Sequence, residues 1–301
     1  MMLPSARSRP FIPALCAWLA AGLFLASGAP DAAAKSCVWK VTAADGHTAY
    51  IAGSVHALRQ QDMILPAAYD EALRASDALA FETTLGTPGE RWSTALNRAG
   101  RLPKGVTLKD RVDPRTYAYL LRLVAQVKGS MDPEKKIANL RPWAVAFMLR
   151  PEGFAGVRSS YGVDTRLEKE ANKARKPTEC LVPFKEHIDV FGAMSDRDGE
   201  LYLLQELARL NTGSQTYTRT VEAWKKGDIG FIDRQFDADY QDAPSVRQRL
   251  LTERNLRWLP KIEGYLRTRR TWMVVAGAGH MAGKQGLPAL LEARGYKVEQ
   301  M

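Results

Sequence analysis

The stretch that decides the fold is residues 271–280, which read Thr-Trp-Met-Val-Val-Ala-Gly-Ala-Gly-His. Residues 271–276 form a continuous apolar run, which is typical of a strand buried on both faces of a parallel sheet. The two glycines that follow allow a tight turn, and His280 stands directly after it. This order predicts an α/β sheet with a functional side chain at the end of one strand.

The same pattern occurs near the start of the chain. Residues 37–42 and 48–52 are short β-type runs separated by Asp45-Gly46, a dipeptide typical of hairpin turns. The second run continues into Gly53-Ser54-Val55-His56, so His56 and His280 share a Gly-x-x-His spacing and a position at a strand exit. We expect the turn residues to contact substrate, namely Gly53, Ser54, Gly277 and Gly279.

A third strand exit supplies a carboxylate. Residues 67–75 have helical spacing, and the β-type run 78–81 ends at Glu82. In a parallel crossover, His56 and Glu82 would emerge at the carboxyl edge of adjacent strands, where open α/β sheets bind ligands. With His280 they form a two-histidine, one-carboxylate set that can bind a divalent metal such as Mn, Co or Zn. Without a metal, a histidine oriented by Glu82 could act as a general base toward water.

The middle of the chain is predicted to be helical. Apolar residues recur at helical spacing over 114–127, 142–149, 163–174, 197–210 and 245–266, with a break expected at 211–213. The overall prediction is an α/β fold whose mixed sheet is formed by the N- and C-terminal segments. Residues 35–301 would be a single domain with a large, mostly helical insertion at about 86–260.

Two polar residues fall on an inward helix face. Arg254 lies in the apolar stripe between Leu250 and Trp258, and Asn255 lies in the neighbouring stripe. A buried polar group without a hydrogen bond costs roughly 2–7 kcal/mol, so both side chains need partners. Arg254 could pair with Glu82 or with a substrate oxyanion; alternatively, it extends to solvent at the helix edge. We therefore add Arg254 and Asn255 to the candidate catalytic residues.

The N-terminus has the pattern of a secretory signal. Arg7 and Arg9 precede an apolar run over 11–26, and Ala32-Ala33-Ala34 matches a cleavage site. We expect residues 1–34 to be cleaved, with an uncleaved anchor as the alternative, and no stable membrane span afterwards. The protein would then be periplasmic or secreted. An oxidising compartment permits a disulfide between Cys37 and Cys180, although two free thiols are also compatible with the sequence.

Composition and charge narrow the function classes. The 301 residues are 46% hydrophobic and 25% charged, which excludes collagen, coiled coil and wholesale disorder. The formal net charge is +10, and eight Lys or Arg residues lie within 247–270. We interpret that segment as a solvated helix face and expect no nucleic-acid partner. His187 lacks a turn context and is predicted to be a helix-surface residue.

Several of these segments together resemble the TraB/GumN family, which is related to the Tiki proteins and more distantly to erythromycin esterases. The resemblance spans roughly residues 37–298 and is carried by five segments: Ile51-Ala52-Gly53-Ser54-Val55-His56, Phe81-Glu82, Tyr161-Gly162-Val163-Asp164, Arg254-Asn255-x-x-Trp258 and Val275-Ala276-Gly277-Ala278-Gly279-His280-x-x-Gly283.

The resemblance implies an α/β fold with one active site and, through the Tiki members, divalent-metal-dependent peptide cleavage. By position, His56, Glu82 and His280 would be the metal-binding or base set, supported by Arg254 and Asn255. Gly162-Val163-Asp164 matches a family motif to which the sequence assigns no role, and Asp164 could cap the following helix. The alternative is a non-catalytic periplasmic protein that binds a peptide or an envelope polysaccharide in the same cleft.

Overall fold

Six strands drawn from both ends of the chain form one mixed sheet in the computed structural model, which describes residues 35–83, 94, 98–126, 132–149 and 156–301. The predicted signal at 1–34 lies outside these residues. The predicted fold class is confirmed. The strands of this sheet are β1 (Val38–Thr42), β2 (Thr48–Ser54), β4 (Ala78–Phe81), β6 (Thr178–Cys180), β7 (Trp272–Gly277) and β8 (Lys297–Gln300). A separate two-stranded sheet pairs β3 (Leu58–Arg59) with β5 (Val157–Arg158).

The C-terminal strand β7 lies at the centre of the sheet, whose order is β6-β4-β7-β2-β1-β8. It runs parallel to β2 and to β4, so that Val274 is opposite Ile51 on one side and Ala80 on the other. All six residues of β7 are buried, as its apolar run predicts. The hairpin of β1 and β2 is antiparallel, again as predicted.

The expectation that β2 and β4 are adjacent is wrong, because β7 lies between them. The crossover from β2 to β4 leaves a gap of one strand, and a segment some 190 residues further along the chain fills it. This arrangement brings the turn after β7, with His280, between the turns that follow β2 and β4. All three turns lie at the carboxyl edge of the sheet.

The remaining chain is largely helical, and no helix among the described residues is long and apolar enough to cross a membrane. The helices are α1 (Ala67–Ala75), α2 (Pro114–Gln126), α3 (Pro133–Ile137), α4 (Pro142–Leu149), α5 (Val163–Lys173), α6 (Phe184–Gly192), α7 (Asp196–Lys225), α8 (Ile229–Asp239), α9 (Pro244–Arg247), α10 (Glu253–Tyr265) and α11 (Leu287–Glu292).

Two details of the helical prediction need correction. The break expected at 211–213 is wrong, because α7 runs through it for 30 residues; one glycine costs a helix only about 1 kcal/mol. The predicted helix 245–266 is divided by a π-helical turn at Gln248–Thr252, which ends two residues before Arg254. Such turns are frequent at functional sites.

The apolar side chains form two main clusters. The larger one surrounds the sheet and includes inward residues of α1, α5, α10 and α11. The second joins α2, α4, α7 and the start of the π-helical turn. Leu250 belongs to this second cluster, whereas Trp258 belongs to the first, so Arg254 stands where the two meet.

The predicted disulfide is wrong, since Cys37 and Cys180 are both free thiols. Cys37 precedes β1 and Cys180 ends β6, and three strands separate β1 from β6. Four inter-strand spacings of about 4.8 Å place the two strands roughly 19 Å apart. A disulfide needs Cα atoms within about 7 Å, so the two thiols lie too far apart to pair.

Candidate active site

Three strand-exit turns bring His56, Glu82 and His280 together, as the sequence predicts. The Nε2 atoms of His56 and His280 lie 3.7 and 3.8 Å from the same oxygen, Oε1 of Glu82. Their exposures differ sharply. The side chain of His56 is 65% exposed, whereas those of Glu82 and His280 are 8% and 4% exposed. His56 is therefore the member of the set that faces solvent.

Glu82 is held as a carboxylate by donors on both of its oxygens. The backbone N–H of Gly277 donates to Oε1 at 2.7 Å, and Arg254 donates to Oε2 in a buried ion pair. Burial of Glu82 opposes its ionisation, but Arg254 and the neighbouring histidines outweigh that cost and hold its pKa well below the usual range. Glu82 is thus an anion throughout the physiological pH range.

Arg254 is the centre of the buried network. Its Nη1 group contacts His280 Nε2 at 3.1 Å and donates to the Leu250 carbonyl at 3.3 Å. Its Nη2 group donates to Glu82 and contacts His187 Nδ1 at 3.1 Å. The two Nη groups carry four hydrogens, so these four partners account for all of them. The inward position predicted for Arg254 is correct, and its partner is Glu82.

His187 belongs to this network, so its interpretation as a surface residue of a helix is wrong. It lies on α6, and burial, reinforced by the charge of Arg254, lowers its pKa to about 4. Its imidazole is therefore neutral at pH 7 and can accept a hydrogen bond from the guanidinium. No turn signal marks His187 in the sequence, because this residue enters the cluster from a helix face rather than from a strand exit.

Asn255 fixes the second buried histidine. Its Oδ1 lies 2.6 Å from His280 Nδ1, while its Nδ2 donates to the carbonyls of His280 and Gln285. This partner assigns the proton of His280 to Nδ1 and leaves Nε2 to accept from Arg254. Burial lowers the pKa of His280 to about 3. The ring of Trp258 packs against the imidazole, with the two ring centroids 4.5 Å apart. Asn255 therefore positions His280, and its predicted inward orientation is confirmed.

Asp164 is the residue whose role the sequence did not reveal. From the first turn of α5, its Oδ2 lies 2.9 Å from His56 Nδ1, and its Oδ1 accepts a hydrogen bond from Ser54 at 2.9 Å. The charge of Asp164 is the largest of the effects that raise the pKa of His56 to about 9. The family motif around Asp164 was the available signal, but a helix cap was the simpler interpretation.

The predicted turn residues have different surroundings. A Cβ on Gly277 would lie 3.0 Å from His56 Nε2, so this glycine borders the cleft. The α-carbon of Gly53 faces Cys37, and a Cβ on Gly279 would lie 2.6 Å from Phe236. Ser54 is buried and donates to Asp164. Substrate contact by these four residues stays a prediction, for which Gly277 is the best placed.

The arrangement of these side chains does not fit a resident metal ion. Both oxygens of Glu82 and Nε2 of His280 already face N–H donors, and the donor to two of those three atoms is the cationic group of Arg254. Within the described part of the chain, no cluster of three or more His, Cys, Asp or Glu has metal-binding spacing. Binding of a divalent metal ion by His56, Glu82 and His280 stays a prediction from the sequence.

The order of motifs along this site matches a known family. The model of the TraB/PrgY/gumN family matches residues 37–300, which include every residue of the cluster. The chain belongs to the TraB/PrgY/gumN family. No curated protein and no solved structure matches the chain. For this TraB/PrgY/gumN protein, chemistry must therefore be argued from the site itself.

Within this TraB/PrgY/gumN protein, the cluster divides into an exposed part and a buried part. The exposed part is the imidazole of His56, which is held at Nδ1 by the largely buried carboxylate of Asp164. The buried part is Arg254 with its three side-chain acceptors, Glu82, His280 and His187. An exposed imidazole beside a fixed buried carboxylate is an arrangement suited to proton transfer.

Proposed function

We propose that this protein is an exported hydrolase of peptidase type in which His56 acts as the general base. One observation supports this proposal above the others: Asp164 lies 2.9 Å from Nδ1 of His56, while the imidazole itself is largely exposed. A carboxylate at Nδ1 keeps the proton there, so in the neutral form Nε2 carries a lone pair toward the cleft.

The proposed step begins with a water molecule near Nε2 of His56. As the water oxygen attacks the carbonyl carbon of the substrate, Nε2 takes a water proton and the imidazole becomes a cation. Asp164 at 2.9 Å and Glu82 at 3.7 Å stabilise that cation. When the carbon–nitrogen bond breaks, the imidazolium returns its proton to the leaving amine, so protons balance over the cycle.

Arg254 serves in this proposal to hold Glu82 rather than to bind a substrate oxyanion. All four of its Nη hydrogens have partners in the protein. Without the guanidinium, Glu82 would be a buried carboxylate beside the neutral His280 and the solvent-exposed His56, which is a costly state. Arg254 therefore keeps Glu82 anionic next to His56. The carboxylate favours the imidazolium that forms during the reaction, and the charge of the guanidinium opposes it less strongly.

Export is the second part of the proposal, and it rests on the predicted signal at residues 1–34. A periplasmic or secreted location would expose the cleft to peptides and envelope polymers. The alternative, a protein that binds such a polymer without turnover, predicts retention of the ligand in unchanged form.

The test is a cleavage screen with a mixture of proteome-derived peptides, read by mass spectrometry. Wild type is compared with His56→Asn and with His47→Asn, a matched change at an imidazole in the hairpin turn. We expect new peptide termini with wild type and His47→Asn but not with His56→Asn. Cleavage by His56→Asn at the wild-type rate would contradict the general-base role, and no cleavage by a folded wild type would favour the binding protein.

A parallel experiment decides the metal question. The full chain and a His56→Ala/His280→Ala variant are titrated with Mn, Co and Zn by calorimetry after treatment with a chelator. Stoichiometric binding that the double variant loses would establish the predicted metal and contradict the metal-free step described above. Cleavage that persists in chelator would support that step.

A further inference from the structure

The edge of the sheet opposite the candidate active site carries a cluster of unpaired cations. Three loops lie there, because the parallel strands β4, β6 and β7 all begin at this edge. Together with the last residues of α1 and α5, which lead into two of them, these loops are residues 74–77, 173–177 and 267–271, and they contain one acidic residue, Asp77. We call this surface the basic edge, and its cations are Arg74, Lys173, Arg175, Lys176, Arg267, Arg269 and Arg270.

Backbone hydrogen bonds hold the three loops together. Asp77 N–H donates to the Thr271 carbonyl at 2.7 Å, and Leu79 N–H donates to the Pro177 carbonyl at 3.0 Å. The single acidic side chain, that of Asp77, accepts from Thr271 N–H at 2.8 Å. Since three neighbouring strands span about 10 Å, the cations lie within one compact surface.

The described part of the chain does not neutralise the charges on the basic edge. Among the described residues, none of the seven cations lies within 4.0 Å of a carboxylate oxygen, and six of them are exposed. Lys176 is half-buried, and its ammonium donates to backbone carbonyls. The sequence interpretation placed the three arginines at 267, 269 and 270 on a solvated helix face, but α10 ends at Tyr265 and they lie in a loop.

We propose that the basic edge binds the surface of an anionic phospholipid bilayer. Clustered Lys and Arg near such a surface contribute about 1 kcal/mol each, so a cluster of this size suffices for peripheral binding. The loops contain no aromatic residue, and proteins that bind single-stranded nucleic acid stack bases on aromatic rings. They also lack large apolar residues that could insert into lipid, so the contact is electrostatic and sensitive to salt.

The geometry gives this binding a consequence for the cleft. The basic edge lies at the beginning of β7, and the turn with His280 follows its end. Six residues of a strand span about 20 Å, so a bilayer at the basic edge leaves His56 facing away from it. This inference adds a docking surface to the proposed hydrolase, and it does not depend on catalysis.

The test is co-sedimentation of the full chain with vesicles of phosphatidylglycerol and phosphatidylcholine, compared with phosphatidylcholine alone. The variant is Arg267→Gln/Arg269→Gln/Arg270→Gln, whose three side chains make no hydrogen bond or ion pair within the described part of the chain. The matched control is Lys104→Gln/Lys109→Gln/Arg122→Gln, which removes the same charge from exposed positions elsewhere. All three proteins share one N-terminus, so any contribution of residues 1–34 appears equally in each.

We expect wild type and the control to bind the anionic vesicles at low salt and to dissociate as salt is raised. The basic-edge variant lacks three charges of about 1 kcal/mol each, so it should bind about 10²-fold more weakly than wild type. Equal binding by this variant, or equal loss in both variants, would overturn the proposal. So would retention of wild type on a duplex DNA oligonucleotide but not on the vesicles. Because the readout is sedimentation, a failed cleavage screen leaves this result unaffected.

Discussion

Oδ2 of Asp164 lies 2.9 Å from Nδ1 of His56, although 108 residues separate the two in the chain. Asp164 reaches this position from the first turn of α5, and Ser54 holds its other oxygen. The contact fixes the proton of the imidazole and raises the pKa of the ring. It therefore decides both which nitrogen faces the cleft and the pH at which that nitrogen becomes a base.

The first prediction concerns the pH dependence of cleavage. Asp164 raises the pKa of His56 to about 9, so the ring is protonated at neutral pH and becomes a free base only as pH rises. We expect kcat/KM to increase with pH and to level off near pH 9, rather than near the ordinary histidine value of about 6.5. A stopped assay between pH 5 and 10 measures this. A rate that falls as pH rises would show that the cationic form is the active one.

The second prediction is for Asp164→Asn. This change removes the charge that raises the pKa of His56 and allows the other tautomer. On the high-pH plateau, where His56 is a free base in both proteins, we expect kcat/KM to fall by up to about 10⁴-fold, because the other tautomer turns an N–H instead of a lone pair toward the cleft. The pH at which kcat/KM levels off should move from about 9 toward about 6.5.

Ser54→Ala provides the control, because it removes one hydrogen bond to Asp164 and leaves the Asp164–His56 contact in place. In Ser54→Ala, kcat/KM should fall by less than about tenfold, and it should level off near the same pH as in wild type. If Asp164 were merely structural, Asp164→Asn would lower kcat/KM without changing the pH at which it levels off.

The third prediction concerns the buried pair of Glu82 and Arg254, whose side chains are 8% and 12% exposed. Arg254→Gln leaves the Glu82 carboxylate in the protein without its cation, which should lower the free energy of unfolding by about 3–5 kcal/mol. Glu82→Gln/Arg254→Gln removes both charges and should recover much of that loss. Urea unfolding of Glu82→Gln, of Arg254→Gln and of the double variant measures the coupling between the two residues. Additive losses would show that the pair is not coupled.

The sequence revealed the parts of the site that stand at strand exits. The buried runs before His56, Glu82 and His280, with glycines after two of them, are local signals, and each is also a strand end in the structure. The amphipathic stripe placed Arg254 and Asn255 inward for an equally local reason. Such patterns depend on a few neighbouring residues, so they are visible without the fold.

The parts that were missed depend on long-range packing. No local pattern shows that β7 inserts between β2 and β4, and this insertion also places Cys37 and Cys180 four strand spacings apart. His187 and Asp164 lie on helices, and each enters the site only through the way its helix packs against the sheet edge. An isolated helical histidine or aspartate resembles a surface residue or a cap until its partner is known.

The last prediction is a loss of stability in mild acid. The half-buried His187 and the buried His280 are neutral rings with pKa values lowered to about 4 and about 3, whereas in the unfolded chain they titrate near 6.5. Between about pH 4 and 6.5 the unfolded chain therefore binds more protons, so the free energy of unfolding falls as pH falls. The slope is up to about 1.4 kcal/mol per pH unit for each proton. Urea unfolding at pH 4.5, 5.5, 6.5 and 7.5 measures it. His187→Gln should reduce the slope, and His47→Gln should not; a flat profile for wild type would mean that the buried rings are not neutral.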